Sequence, residues 1–339
     1  MLHKLGADVV GYAFDPRTVR DHFEVCGVSE RITDIRGDIC DYERLQQVCS
    51  VYKPEIVFHL AAQALVLASY QDVRGTYATN VMGTLNVLEC IKECPETRCA
   101  VLVTTDKCYE NEEQIWGYRE TDRLGGYDPY SSSKACAEIL ISSFRDSFFH
   151  AGSYEANKKA VATARAGNVI GGGDWAPDRI VSDCVQAFLR DEKVSLRNPS
   201  AVRPWQHVLE PLYGYLLLAQ RLYQEGEAFA EAWNFGPDMA IETNVRELVG
   251  LLAQEFGTGA LMDVNRQTTA YEAAYLALDT TKARRRLGWR PQLAIADAVA
   301  MTAQWYKQYD EMKDEAGCRN EMYALSSKQI DEYLSMVME

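Results

Sequence analysis

Two rhythms of apolar and polar residues take turns along the first half of this chain. Residues 8–14, 55–60, 100–104 and 160–165 are short apolar runs bounded by polar or turn-forming residues, the pattern of strands. Between them, residues 41–52, 75–93 and 129–149 carry apolar positions at three- and four-residue spacing and predict helices. Strand and helix in alternation predict an α/β fold, a parallel sheet with helices on both faces. Past Gly171 the rhythm breaks, with Gly, Pro and Trp concentrated as far as Trp205. Helical spacing returns at 209–225 and 245–255, and the tail after Pro291 is helical and charged. The expected division is a first domain over 1–170, to which the chain returns at about 201–235, and a smaller α/β domain made mainly from 171–339.

The opening residues break the alternation. Met1-Leu2-His3-Lys4-Leu5-Gly6 reads as the last turns of a helix with Gly6 as its C-terminal cap, which makes 8–14 the second strand of the sheet. A dinucleotide-binding sheet opens with a strand, a glycine-rich turn and a helix whose N-terminus receives the pyrophosphate. No such turn stands in this sequence. The expectation is that the natural product has about 20–30 more residues upstream, the length of one βα unit.

Composition narrows the partners. The 339 residues are 47% hydrophobic, enough for one large or two ordinary cores. A net charge of −14 argues against nucleic acid, whose phosphates need clustered Lys and Arg. An anionic ligand would need arginines concentrated at its own site. The ten cysteines form no CxxC pair, so reduced thiols are expected and no metal site. With no long apolar span and no leader pattern, a soluble cytoplasmic protein without membrane partners is expected.

Candidate chemistry starts at Tyr130 and Lys134, four residues apart and so on one face of the 129–149 helix. A phenol has a pKa near 10 and is a poor base at neutral pH, and a neighbouring ammonium is expected to lower it. About 25 residues upstream, the 100–104 strand runs into Thr105-Asp106-Lys107, which by itself is an ordinary solvated turn.

The runs AVLVTTDKCYE (100–110), RETDRLGGYDPYSSSKACAE (119–138) and AVATARAGNVIGGGDW (160–175) come together with Phe58-His59-Leu60-Ala61-Ala62-Gln63, Thr79-Asn80-Val81-Met82-Gly83-Thr84 and Arg203-Pro204-Trp205-Gln206-His207. In this order, over residues 5–310, they resemble the CDP-glucose 4,6-dehydratase family of extended short-chain dehydrogenases/reductases. The resemblance implies a Rossmann-like doubly wound parallel sheet, here without its first strand, and NAD as cofactor. It implies a lyase that oxidises C4 of the glucose ring, loses water across C5–C6 and returns the hydride to C6. Tyr130 would be the base at the C4 hydroxyl, with Lys134 beside it on the nicotinamide ribose. Thr105 would orient the C4 oxygen, Asp106 would protonate the leaving C6 hydroxyl, and Lys107 would take the C5 proton. Burial would raise the carboxyl and lower the ammonium in the directions those roles need.

The same resemblance assigns cofactor contacts to Asp15, Asp38, Ile39, Leu60, Ala61, Ala62 and Thr79. Asp15 is equally readable as a surface acid, Asp38 as the cap of the helix beginning near Asp41, and the alanines and Thr79 as packing. Asn168, Arg179, Arg197, Arg203 and Tyr275 fall to the sugar nucleotide, Arg203 foremost because a guanidinium pairs bidentately with phosphate. Arg179 and Arg197 read equally well as structural ion-pair partners, Tyr275 as core packing, and His207 mainly as a core residue. The helices near 75–93 and 129–149 would pair with a second subunit's as a four-helix bundle, giving a dimer or tetramer.

Two local departures stand out. The family's Gln-Pro-Leu-Val-Arg is Gln63-Ala64-Leu65-Val66-Leu67 here, without its basic residue, and its His-Glu-Ala run is Tyr271-Glu272-Ala273. Two other readings stay open, a non-catalytic chain that keeps the sugar-nucleotide domain and a nucleotide-sugar epimerase. An epimerase needs the Tyr–Lys pair but not Asp106 and Lys107. Deoxysugar supply for surface polysaccharide is the usual destination in the family.

Overall fold

Within a computed structural model, residues 1–239, 242–259, 262–264 and 273–338 are described. They contain ten strands: β1 (Val10–Ala13), β2 (Thr33–Arg36), β3 (Ile56–His59), β4 (Cys99–Val103), β5 (Ala160–Ala166), β6 (Val169–Ile170), β7 (Val194–Leu196), β8 (Gln206–His207), β9 (Ala232–Phe235) and β10 (Met262–Val264). The central sheet is parallel, in the order β3-β4-β5-β9. β5 is buried on both faces and built of Ala, Val, Thr and Arg, as expected of a strand covered by helices on both sides. Helices Thr84–Glu93 and Pro129–Phe148 pack one face around Leu88, Ile141 and Leu102. Helix Leu209–Glu225 closes the other face with Trp233 and Phe235.

β1 and β2 form a separate two-stranded parallel sheet, which the continuous sheet expected from sequence did not include. Tyr12 of β1 and Val57 of β3 nonetheless pack on the same cluster of helix residues, so the two sheets share one covering layer. Neither β1, away from β2, nor β3, away from β4, has a ladder partner among the described residues. Apolar side chains at these strands and their ends are open to solvent, with Phe14 63%, Leu60 50% and Ile56 39% exposed. Gly6 has φ +84°, and the amides of Gly6 and Ala7 bond back to His3 and Leu2. Residues 2–6 form a turn closed by Gly6 in the left-handed region, and no helix forms over them.

The expected 75–93 helix is interrupted. It comprises helix Val73–Tyr77, a wider-wound turn Ala78–Gly83 and helix Thr84–Glu93. The second half of the chain adds the paired strands β7–β10 and β6–β8 and helices Ile180–Phe188, Val245–Phe256 and Ile295–Met312, all around one large core. Helix Cys318–Met338 ties the ends together, since Tyr333 donates to the buried Glu210 and Lys4 pairs with Asp331.

Candidate active site

The C-terminal end of β4 delivers the chemistry. The strand stops at Val103, and Thr105 caps a single 3-10 turn, Asp106–Cys108, by accepting the Lys107 amide at 3.3 Å. Opposite it stands the start of helix Pro129–Phe148. Its cap, Asp128, accepts the Ser131 amide at 2.9 Å, and proline fills its first position. The Tyr130 amide is held by Ser69 Oγ at 3.1 Å.

These two elements bring four of the five expected catalytic side chains into a buried cluster. Thr105 donates to Asp106 Oδ1 at 3.0 Å. Asp106 Oδ2 is buried without a partner. Lys134 donates to the Val103 carbonyl at 3.1 Å. Lys107, the fifth, lines a cavity of about 850 Å³ together with Tyr109, Asp128 and Ser131, whereas Thr105, Asp106, Tyr130 and Lys134 are not among its lining residues.

Burial pushes the Asp106 carboxyl above the usual range, against the pull of Lys107, its bond to Thr105 and Arg203. Lys134 falls to about 8 because it is buried, with the Glu138 carboxylate opposing the fall. The Tyr130 phenol departs from expectation. Burial raises it to about 12, the neighbouring Thr105 hydroxyl lowers it and Asp106 raises it further. Lys134 is spent on a backbone carbonyl, so the expected lowering of the phenol by its neighbour is absent from this arrangement.

The cavity reaches from Lys107 to the second half of the chain. Asn168, Arg179, Arg197 and Arg203 all line it. Arg203 donates to the carbonyls of Val202 (2.8 Å) and Ala273, which pins its guanidinium at the wall. Arg179 and Arg197 lie 3.4 Å from Asp174 and Asp178. Tyr275 is not brought in. Its phenol donates to Glu242 at 2.9 Å, and Ala273 and Leu276 line the wall instead. Ala64, Leu65, Val66 and Leu67 form an apolar stretch where the basic residue was missed from sequence. Tyr271 and Glu272 lie outside the described residues.

Most of the cofactor candidates lie just past the ends of β1, β2 and β3. Leu60, Ala61 and Ala62 follow β3 with small or exposed side chains. Asp15 is exposed just after β1, 3.7 Å from Arg36. The Asp38 side chain accepts the Cys40 amide at 2.8 Å, whereas the cap of helix Tyr42–Tyr52 is Asp41. Ile39 packs so closely on Gly83 that a methyl group there would lie 2.5 Å from it, and Asn86 holds its carbonyl at 2.8 Å. Thr79 bonds the Cys40 thiol, which sets it against the 38–40 loop. For the pyrophosphate, none of strands β1 to β5 leads through a glycine-rich turn into a helix among the described residues, and the run Gly171-Gly172-Gly173 follows β6 instead. Sequence reading missed Asn86, Ser69 and Asp128. Only Asp128 had a signal, its place just before Pro129.

The family described as GDP-mannose 4,6 dehydratase matches residues 2–302. A CDP-glucose 4,6-dehydratase of Salmonella typhimurium is 44% identical, over 98% of this chain and 91% of its own. A dTDP-glucose 4,6-dehydratase of Streptomyces griseus is 27% identical over 89% and 84%. Among solved structures, the Streptomyces venezuelae dTDP-glucose 4,6-dehydratase DesIV with NAD and TYD bound superposes with a TM-score of 0.70 at 25% identity, covering 84% of this chain and 81% of that one. The UDP-glucose 4-epimerase of Thermotoga maritima shares the fold, with a TM-score of 0.74 at 22% identity over 91% and 93%. With a β4 end and a Tyr130 helix that build such a cluster, this chain belongs to the GDP-mannose 4,6-dehydratase family, and within it stands alongside the CDP-glucose 4,6-dehydratase of Salmonella.

Proposed function

We propose that this protein converts CDP-glucose into CDP-4-keto-6-deoxyglucose and water, with NAD as resident cofactor. The observation that carries the reading is the burial of Thr105, Asp106, Tyr130 and Lys134 where the end of β4 meets helix Pro129–Phe148, with Thr105 bonded to Asp106 and Lys107 lining the cavity alongside.

In this reading Thr105 orients the C4 oxygen and Tyr130, as phenolate, takes the C4 hydroxyl proton. Lys134 holds the nicotinamide ribose, and Asp15, Asp38, Ile39, Leu60, Ala61, Ala62 and Thr79 carry the rest of the dinucleotide. When bound, oxidised NAD supplies a hydride acceptor and a positive ring charge that favours the phenolate. The 4-keto group acidifies C5, whose proton passes to Lys107. Asp106, its carboxyl raised by burial, protonates the departing C6 hydroxyl. Arg203 holds the diphosphate with Asn168, and Arg179 and Arg197 stand further along the wall. Residues 1–170, with the return at about 201–235, form the cofactor domain, and the remainder mainly binds the sugar nucleotide.

We also place the protein in the cytoplasm as a homodimer or tetramer. No helix among the described residues is long and apolar enough to cross a membrane. Val73, Met82 and Ile139 are exposed apolar residues on the helical segments expected to pair with a second copy.

One observation favours a second reading, a chain that keeps the sugar-nucleotide site but holds no cofactor. The unpaired edges of β1 and β3 flank the region where a pyrophosphate would be bound in this fold. Purified protein incubated with CDP-glucose and NAD decides. A 4-keto-6-deoxy product absorbing in alkali supports the dehydratase. Recovery of an epimer rejects it, and CDP-glucose binding with neither NAD binding nor turnover favours the second reading.

A further inference from the structure

Glu138 lies four residues beyond Lys134 and eight beyond Tyr130, on the same helix face, and is 3% exposed. Its partner is Arg165 of β5, also 3% exposed. Arg165 Nε donates to Glu138 Oε1 at 2.9 Å and Nη2 to Oε2 at 2.7 Å, a bidentate pair. The pair has other partners too. Thr104 donates its hydroxyl to Glu138 Oε1, and Thr163 to Oε2 at 2.9 Å. Arg165 Nη1 donates to the Tyr109 hydroxyl at 2.8 Å and to the Glu120 carbonyl at 3.1 Å, and the guanidinium lies 4.9 Å from the Tyr109 ring centre. Tyr109 in turn donates to Asn234 Oδ1 at 2.7 Å.

Thr104 and Tyr109 are the residues that flank Thr105 and the turn Asp106–Cys108. We propose that the Glu138–Arg165 ion pair is a positioning device: it grips the Thr105-Asp106-Lys107 turn at both ends and locks it to the helix that carries Tyr130 and Lys134.

The physical argument rests on what an ion pair does that an apolar pair does not. Buried ion pairs are weak contributors to stability, because desolvation cancels most of their attraction, and packed hydrophobic residues often fill such space equally well. Hydrophobic residues have no direction. Here one buried carboxylate and one buried guanidinium aim bonds at Thr104, Thr163, Tyr109 and Glu120, where each is costly to leave unmade. The turn itself is short, held internally by Thr105 and by a Cys108 amide bond to the Thr105 carbonyl at 3.4 Å. The backbone at each end of the turn is anchored as well, the Thr104 amide donating to the Ala164 carbonyl and the Gly125 amide to the Cys108 carbonyl, both at 2.9 Å, so what the grip on Thr104 and Tyr109 adds is the side-chain register of Asp106 and Lys107 against Tyr130. A displacement of about 1 Å costs on the order of 100-fold in rate.

The proposal rests on the dehydratase reading for its kinetic consequence and stands without it for its structural one. Thr104→Val and Tyr109→Phe each remove one grip and leave the ion pair intact, so folding is kept. Hydrogen exchange read by mass spectrometry is expected to rise about tenfold in the peptide covering 104–109, with β5 and helix Pro129–Phe148 unchanged. This readout needs no substrate. With CDP-glucose as substrate, kcat is expected to fall at least tenfold with KM within twofold. Deuterium at C5 is then expected to slow turnover more than in the parent, and deuterium at C4 less, since elimination has become the slow step. Exchange at 104–109 equal to the parent's overturns the proposal. So does an increase spread evenly through the core, which marks the pair as packing alone. Local loosening in a protein that does not convert CDP-glucose keeps the clamp and rejects the dehydratase reading. Unaltered isotope effects in an active variant reject the clamp's catalytic consequence and leave the dehydratase standing.

Discussion

The Thr105 hydroxyl donates to one oxygen of Asp106 at 3.0 Å, and the other oxygen, Oδ2, is buried with no partner. An unpartnered buried carboxylate oxygen is costly when charged, and protonation relieves the cost. Burial accordingly raises the carboxyl of Asp106 more than its neighbours lower it. This is the state a general acid needs, a proton held close to an unfilled bonding position.

Asp106→Asn separates the two consequences. The amide keeps the shape and has no acidic proton, so formation of the 4-keto-6-deoxy product is expected to fall about 10²–10⁴-fold. Stability moves the other way. A folded-state pKa raised above the unfolded value means that folding is penalised as pH rises through that window. Asparagine removes the penalty, so the variant is expected to melt at a higher temperature than the parent at pH 7 and to lose that advantage below about pH 4, near the unfolded aspartate value. Scanning calorimetry at the two pH values checks it, and a variant less stable at pH 7 would count against the buried-acid assignment.

The roles of Asp106 and Lys107 were legible only through the resemblance, since an isolated Thr-Asp-Lys turn carries no signal. The alternation of periods was enough to place β3, β4, β5 and the Tyr130 helix, because β4 and β5 bury both faces, the helix buries a wide stripe and β3 is a continuous apolar run despite its open edge. The separation of β1–β2 was harder to see, since strand pairing is a long-range property that no local period records. Tyr275 was misplaced for a related reason. In an extended segment neighbouring side chains point to opposite sides, and motif position cannot say which side faces the cavity. The raised phenol of Tyr130 follows from its burial, with Lys134 turned to the Val103 carbonyl, and i,i+4 spacing determines neither.

Arg203 tests the anion site. Its guanidinium is fixed at the cavity wall by the carbonyls of Val202 and Ala273. Lysine keeps the charge and loses the planar fork. Arg203→Lys is expected to raise KM for CDP-glucose about tenfold or more, the loss of a charge-assisted bond of about 1.5–3 kcal/mol, with a smaller change in kcat. Initial-rate kinetics check it, and an unchanged KM removes Arg203 from the diphosphate site.

Ile139 is 59% exposed on the outer face of the Tyr130 helix, and Met82 is 52% exposed on the neighbouring helical segment. A charge at the centre of a helix bundle must be desolvated or must part the helices. Ile139→Arg is therefore expected to give a monomer by sedimentation where the parent is a dimer or tetramer. A parent that sediments as a monomer refutes the bundle outright.

Three desolvated histidines, the buried His59 and His207 and the half-buried His22, set the response to acid. Burial lowers His22 to about 4, His59 to about 3 and His207 to about 4. Each is therefore neutral in the folded chain at pH values where the unfolded chain, with a histidine pKa near 6.5, is already protonated. The unfolded state then binds more protons, so stability is full above about pH 6.5 and falls as pH drops below it. The fall approaches about 1.4 kcal/mol per pH unit for each histidine. Buried carboxyls raised by desolvation, among them Asp106, Glu120, Asp183 and Glu210, act with the opposite sign at acid pH. The total slope is thus less informative than a difference between variants. His59 suits that comparison, because its ring bonds Thr84 at 3.0 Å beneath the sheet and Lys134 adds to its depression. His59→Gln can keep a bond to Thr84 and carries no titration. Its stability is expected to fall between pH 6 and pH 5 less steeply than the parent's, by about one proton's worth of slope. Urea unfolding at pH 5, 5.5, 6 and 7 measures both slopes, and equal slopes would mean that His59 takes up its proton inside the folded protein.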